Sequence, residues 1–169
     1  MGHTITVGEN GTGIHLKSTR TPRAVSFKTD SYPGFPTDLQ APMMALQCTA
    51  DGTSIIEETV FENRFHHAHE LRKMGANIKI EHNKAIITGV ECLQGADVVA
   101  ADIRASMALV VAGLMAEEGT TRIAGLHHWK RGYDALEKKL QRLGANVSVC
   151  EPHYDGVMMN AGIVIEKIQ

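Results

Sequence analysis

Two aspartates and three arginines carry most of the chemistry that this sequence offers. Asp38 and Asp102 each stand just before a helical apolar pattern, Arg104 follows Asp102 by two positions, and Arg64 and Arg131 fall where strand patterns give way to helix patterns. A carboxylate at a helix start has two uses. It accepts N–H bonds from the first turn as an N-cap, or, rigidly held, it faces a cleft as a general base. Both readings stay open for both aspartates. Arginine at an element end is ordinarily solvated surface, but three guanidinium groups converging on one face would clamp a phosphate group by bidentate hydrogen bonds. Spacing alone does not bring them together.

The histidines and cysteines point elsewhere. His66, His67 and His69 resemble a metal cluster, yet neighbours on a helix diverge and no Cys, Asp or Glu stands at a ligand spacing; the same holds for His127 and His128. No metal is expected. Cys48, Cys92 and Cys150 are odd in number, far apart and outside any CxxC spacing, which argues against a disulfide framework or a zinc cage. Cys48 and Cys92 sit among apolar neighbours, and burial is expected for them rather than nucleophilic work.

The elements that must position these residues repeat. LRKMGANIKI (Leu71 to Ile80) returns as LQRLGANVSV (Leu140 to Val149), 69 residues later. Upstream, DGTSIIEETV (Asp51 to Val60) answers EGTTRIAGL (Glu118 to Leu126), and PTDLQA (Pro36 to Ala41) answers AADIRA (Ala100 to Ala105). A decayed copy, MGHTITV, opens the chain, so Met1 reads as mid-repeat sequence. Each unit reads as a helix after an Asp, a Gly-Thr strand, a second helix and a two-stranded finish, an α/β alternation. Ile103, Met107, Val110 and Leu114 keep one helical period, and Tyr133, Leu136, Leu140 and Leu143 another. Gly75 and Gly144 predict helix ends, and Asn77–Ile80 with Ala85–Thr88 predicts a hairpin. Residues 8–37 read as a turn-rich connection with a strand at Val25 to Phe27, and YPGFP, with Pro33 and Pro36, as a rigid loop that aims Asp38. The expected division of this one lobe is a first-repeat remnant and linker at 1–35, a second repeat at 36–99, a third at 100–150, and a tail at 151–169 with an edge strand at Ile163 to Ile165.

At 169 residues and 43% hydrophobic, the chain suits one globular domain. A net charge of -2, from 17 basic and 19 acidic side chains, provides no global field for nucleic acid or an anionic membrane. No apolar run approaches the roughly 20 residues that span a bilayer, and no signal-peptide pattern precedes the first repeat. A soluble cytoplasmic protein is expected.

YPGFPTDLQA, ETVFENRF (Glu58 to Phe65), ADIRAS (Ala101 to Ser106) and RGYDALEKKLQRLGAN (Arg131 to Asn146) together resemble the UDP-N-acetylglucosamine 1-carboxyvinyltransferase family of enolpyruvyl transferases, over its C-terminal lobe. The resemblance implies an inside-out α/β barrel lobe of repeated βαβαββ units, helices within and sheets without. It implies transfer of enolpyruvyl from phosphoenolpyruvate to the 3-hydroxyl of UDP-N-acetylglucosamine with release of phosphate, a committed step of bacterial peptidoglycan synthesis, without metal or organic cofactor. Asp38 matches the ligand and general base for the sugar hydroxyl, Val60 a contact with the nucleotide sugar, and Arg131 the holder of the phosphate. Asp102, Arg64 and Arg104 match charged residues lining the cleft where the lobes close. The family's N-terminal lobe, with its loop-borne catalytic cysteine, has no counterpart in this sequence and is the expected partner; without it, self-association through uncovered apolar surface is expected. Trp129 and Lys130 depart from the family's more usual apolar and acidic pair. Two readings stand beside this one: a transferase like 5-enolpyruvylshikimate-3-phosphate synthase, and a non-catalytic nucleotide-sugar-binding module. On the leading reading the isolated chain gives no enolpyruvyl transfer, and an assay of phosphate release from both substrates should stay at background.

Overall fold

A computed structural model describes residues 1–19, 21–150 and 161–167. The chain opens on an antiparallel hairpin of β1 (Thr4–Val7) and β2 (Ile14–Lys17). A first complete unit follows: β3 (Phe27–Lys28), α1 (Gln40–Gln47), β4 (Thr53–Glu57), α2 (His66–Lys73), β5 (Asn77–Glu81) and β6 (Lys84–Thr88). After the short β7 (Leu93–Gln94), a second unit runs through β8 (Asp97–Val99), α3 (Ile103–Met115), β9 (Ala116–Glu118), β10 (Thr120–Ala124), α4 (Leu126–Lys130), α5 (Leu136–Arg142), β11 (Asn146–Cys150) and β12 (Gly162–Glu166). The strand order is β3-β4-β6-β5 in one sheet and β8-β10-β12-β11 in the other. In each the first pair is parallel and the others antiparallel, so both units are βαβαββ.

This topology corrects the sequence reading in three places. Ile163 to Ile165 belongs to β12, which is no edge strand but lies between β10 and β11, with Ile163 and Ile165 buried. The second unit therefore closes at Glu166 rather than at residue 150. Its last two strands are separated by far more chain than the two-residue turn His82–Asn83 between β5 and β6, which hid the pairing. Of the tail, 151–160, 168 and 169 lie outside the described residues. Second, the opening strands are only partly caught by the sequence reading: β3 is Phe27–Lys28, overlapping the expected Val25 to Phe27 at Phe27 alone, and β8 has no counterpart in it, because strands of two or three residues carry too little alternation to read. Third, the turn-rich connection contains β2.

Helices lie inside and sheets outside, as expected. α1 packs on β4 and β6, α3 packs on β10 and β12, and α1 and α3 pack directly on each other between the two sheets. Small residues permit this close approach: Ala41 and Ala45 on α1, and Ala105, Ala108 and Ala112 on α3, are buried together with Leu109. Of the large residues in the sequence pattern, Tyr133, Leu136 and Leu140 pack against the core, and the last of each series does not. Val110 is buried, but Leu114 is 43% exposed and Leu143, past the end of α5, is 84% exposed.

The repeat reaches individual hydrogen bonds. Gly75 and Gly144 take φ +91° and +94° after α2 and α5, their N–H groups donate to Arg72 and Gln141 carbonyls, and the following alanines donate to Leu71 and Leu140. Both are Schellman ends. Arg72 Nε donates to the Ile78 carbonyl at 2.8 Å, and Gln141 Nε2 to the Val147 carbonyl at 2.6 Å, at matching places. The spacing between equivalents grows along the unit: 64 residues for Asp38 and Asp102, 67 for Gly52 and Gly119, 69 for Gly75 and Gly144. The second unit is longer partly because α3 runs five residues beyond the length of α1, 13 against 8.

The β1–β2 hairpin stands apart from this packing. Ile5 lies opposite Leu16 and Val7 opposite Ile14, so one face is apolar, and these four residues are 57–75% exposed.

Two glycines separate conformational strain from crowding. An alanine at Gly75 meets nothing within 4 Å and is opposed by φ alone, whereas a Cβ at Gly89 would stand 1.6 Å from the Ala50 carbonyl oxygen. Gly75→Ala should cost about 1–2 kcal/mol, a Tm loss of about 2–8 °C. Gly89→Ala should cost more, because backbone must move. Thermal unfolding by circular dichroism checks the order.

Candidate active site

After Pro36 the chain makes one 3-10 turn, Thr37–Leu39, before α1 begins. Asp38 lies in that turn and does not cap the helix: the capping position is Leu39, which has no oxygen to offer. Its carboxylate faces two arginines instead. Oδ2 accepts from Arg104 Nη2 at 2.6 Å and Oδ1 from Arg64 Nη2 at 3.3 Å. Asp102 takes the other use left open by the sequence, as the N-cap of α3, with Oδ1 accepting from the N–H groups of Arg104 at 2.7 Å and Ala105 at 2.8 Å. Equivalent positions in the two units thus do different work. Asp102 orients the helix that carries Arg104, and Arg104 reaches across to Asp38 in the other unit.

The hydrogen bond from Arg104 is the main influence on Asp38 and holds its carboxyl below the usual range; slight burial opposes it, and Arg64 adds to it. Arg104 is correspondingly raised by Asp38 first and then by Tyr133, whose hydroxyl accepts from Nη1 at 3.3 Å. Behind Tyr133 the ring of Trp129 meets it edge-on at 6.3 Å between centroids. Trp129, one of the sequence's departures, is 2% exposed and belongs to the core; Lys130 is exposed.

Glu58 is the residue that the sequence reading missed. It is 2% exposed, and Oε1 accepts from Thr29 Oγ1 at 2.8 Å and from the N–H groups of Val60 at 2.9 Å and Phe61 at 3.1 Å, while Oε2 accepts from Thr37 Oγ1 at 2.8 Å. Burial pushes the Glu58 carboxyl upward, but the four donors, Val60 foremost, outweigh it and leave it below its ordinary value. Thr37 in turn accepts from Arg64 Nη1 at 2.7 Å, and the Arg64 guanidinium lies 4.7 Å from the centre of the Phe61 ring. The signal was present in ETVFENRF, where an acidic residue ends a strand and cannot be left buried without donors.

A cleft of about 560 Å³ gathers the candidates: Asp38, Arg64, Asp102, Arg104 and Arg131 line it, with His128 beside them. Arg131 sits at the end of α4 with an exposed side chain. Val60 is not among the lining residues; it lies in the loop after β4, 43% exposed. The histidines separate as helical neighbours must: His66 and His69 line a neighbouring groove, while His67 is buried. Among the described residues no group of His, Cys, Asp or Glu is placed to hold a metal. Burial pushes the Cys48 thiol up to about 12, as expected of a packed rather than reactive cysteine; Cys92 is half-buried.

The model of the EPSP synthase (3-phosphoshikimate 1-carboxyvinyltransferase) family matches residues 1–154. The chain belongs to this family. Within it, curated relatives named UDP-N-acetylglucosamine 1-carboxyvinyltransferase are similar at 54% identity over 79% of the chain in Geobacter metallireducens, and at 52% over 86% in Saccharophagus degradans. The chain spans about a third of their length, 32% and 34%. Among solved structures, the enolpyruvyl transferase NikO from Streptomyces tendae matches 98% of the chain and 34% of its own, with a TM-score of 0.75 at 27% identity. An EPSP synthase from Acinetobacter baumannii shares the fold at a TM-score of 0.54 and 18% identity, over 98% of this chain and 54% of that one. The enolpyruvyl-transferase fold expected from the sequence is therefore the observed one. No helix among the described residues is long and apolar enough to cross a membrane.

His67 gives this member of the family an acid-sensitive core. It is 3% exposed, and burial lowers its pKa to about 4, with Asp102 opposing and Arg64 and His66 assisting. The unfolded chain takes up this proton near pH 6.5, the folded chain only near 4, so stability should fall as pH drops through that window by about 3 kcal/mol at most. Above pH 6.5 His67 should contribute nothing to pH dependence. Urea unfolding at stepped pH checks this, and His67→Leu should flatten that part of the profile.

Proposed function

We propose that this chain supplies one wall of the active site of an enzyme that transfers enolpyruvyl from phosphoenolpyruvate to the 3-hydroxyl of UDP-N-acetylglucosamine, releasing phosphate. The observation that carries the reading is the Asp38 carboxylate held by Arg104 and Arg64 in one cleft with Arg131. A base beside cations is what this addition requires. The sugar oxygen bonds to C2 of phosphoenolpyruvate while Asp38 takes its proton and a donor outside this chain protonates C3; the tetrahedral ketal then gives a C3 proton back to that group as phosphate leaves C2, and the C2–C3 double bond re-forms. Arg131 and Arg104 turn to hold the departing phosphate, and their positive charge stabilises it.

The ion pair also accounts for timing. Paired with Arg104, Asp38 is a poor base; once Arg104 turns to the phosphate, the influence that depresses Asp38 weakens and its proton affinity rises when the hydroxyl arrives. Val60 contacts the nucleotide sugar from the loop ordered by Glu58, and Asp102 and Arg64 line the closed cleft. The remaining two-thirds of the length seen in the curated relatives carries the opposing lobe and the acid. The enzyme needs no metal or organic cofactor and works in the cytoplasm. The curated relatives' names favour this substrate over that of the EPSP synthase at 18% identity.

The test uses this chain joined to the remaining part of a matched relative. Asp38→Asn should lower kcat by about 10² to 10⁴, with a much smaller change in UDP-N-acetylglucosamine affinity, since the amide keeps the size and one acceptor of the carboxylate. An unchanged kcat would remove Asp38 from the chemistry.

A further inference from the structure

The arginine that holds the outer oxygen of Asp38 is itself held, and the holder is buried. Glu58 does not line the cleft and of the lining residues accepts only from the N–H of Phe61, yet its hydrogen bonds reach Arg64 through a single hydroxyl. As a carboxylate Glu58 only accepts, and as a guanidinium Arg64 only donates. The Thr37 hydroxyl between them has one proton, which must go to Glu58 Oε2 at 2.8 Å, leaving its lone pairs for Arg64 Nη1 at 2.7 Å. The direction of both bonds is thus fixed by chemistry. With Nη1 anchored, the other terminal nitrogen of the planar group faces Asp38 Oδ1.

The second unit lacks this arrangement, which shows that the fold does not require it. By the register of β4 against β10, Gly125 stands at the place of Glu58, and Ala101 at the place of Thr37. No side chain fits at Gly125: φ is +96°, and a Cβ would meet the Ala100 carbonyl oxygen at 2.7 Å. Among the described residues, Arg131, the counterpart of Arg64, therefore has neither hydroxyl nor carboxylate at the places of Thr37 and Glu58. One unit fixes its arginine and the other leaves its arginine exposed.

We propose that Glu58 is a positioning residue which, through Thr37, sets the Arg64 guanidinium against Asp38, so that one cleft arginine serves as a fixed strut while Arg131 adapts to ligand. The catalytic meaning of this rests on the reading of Asp38 as base; the positioning itself does not. Besides Arg64 and Arg104, the charged or titratable groups around Asp38 in the cleft are Glu62, His66, Asp102, His128 and Arg131, and none of them is altered in the variants below.

The test follows the Asp38 carboxyl by carbon-13 NMR titration in the chain as it stands, without substrate. Thr37→Val, which removes the hydroxyl, and Glu58→Gln, whose amide meets its neighbours only by turning NH₂ toward Thr37, should each raise the Asp38 midpoint by about half a pH unit or more as Arg64 loses its anchor. Thr37→Ser should restore the parent midpoint. Thr29→Val deletes another donor to Glu58 but lies off the path, so it should lower Tm while leaving the Asp38 midpoint in place. If folded Thr37→Val, judged by its amide spectrum, titrates at Asp38 like the parent, the proposal is overturned; the same follows if Thr29→Val shifts Asp38 as much as Thr37→Val. Failure of the general-base reading would show separately, as an unchanged kcat in Asp38→Asn.

Discussion

The 2.6 Å contact between Asp38 and Arg104 depends on both repeats at once and gives the cleft its chemistry. The carboxylate comes from the turn before the first helix of one unit and the guanidinium from the first turn of the equivalent helix in the other. They meet because α1 and α3, both with buried alanines, pack directly on each other, which brings the helix starts together. Enlarging those alanines would separate the helix axes, and the ion pair would open without any change to its own residues. The pair is too exposed to be a major source of stability. Its value lies in where it puts opposite charges.

Duplication followed by divergence explains how the cleft became asymmetric. Both units keep the strand order, the left-handed glycine and the bond from the second helix to the next strand. At the cleft they part. Asp102 became a cap while Asp38 stayed free of backbone duty; Glu58 and Thr37 stand where the other unit has Gly125 and Ala101. On the proposed function the site takes two unlike substrates and needs that difference, and the repeat confines it to loops where the strands and helices tolerate change.

Much of this was legible in the sequence, for definable reasons. Gly75 and Gly144 marked helix ends because the left-handed turn demands glycine, and the motif blocks marked Asp38, Arg64, Arg104 and Arg131 as one set. Short strands were not legible: β3 and β8 offer two and three residues, and β12 pairs with β11 across a long intervening stretch. Nor was the division of labour between Asp38 and Asp102, since each precedes a helix and only the fold decides which carboxylate meets backbone N–H. Glu58 escaped because a buried carboxylate is recognised by its donors, and two of its four, Thr29 and Thr37, are distant in sequence, while the other two, Val60 and Phe61, come from the turn that follows it.

Trp129 has a consequence beyond packing. It is the sole tryptophan of the chain, it is buried, and its ring meets Tyr133, whose hydroxyl receives Arg104. Indole emission responds to the polarity and charge around the ring. The chain thus carries an optical probe two contacts from the Asp38 ion pair, and whatever draws Arg104 away from Tyr133 alters the light the protein emits without a label being attached.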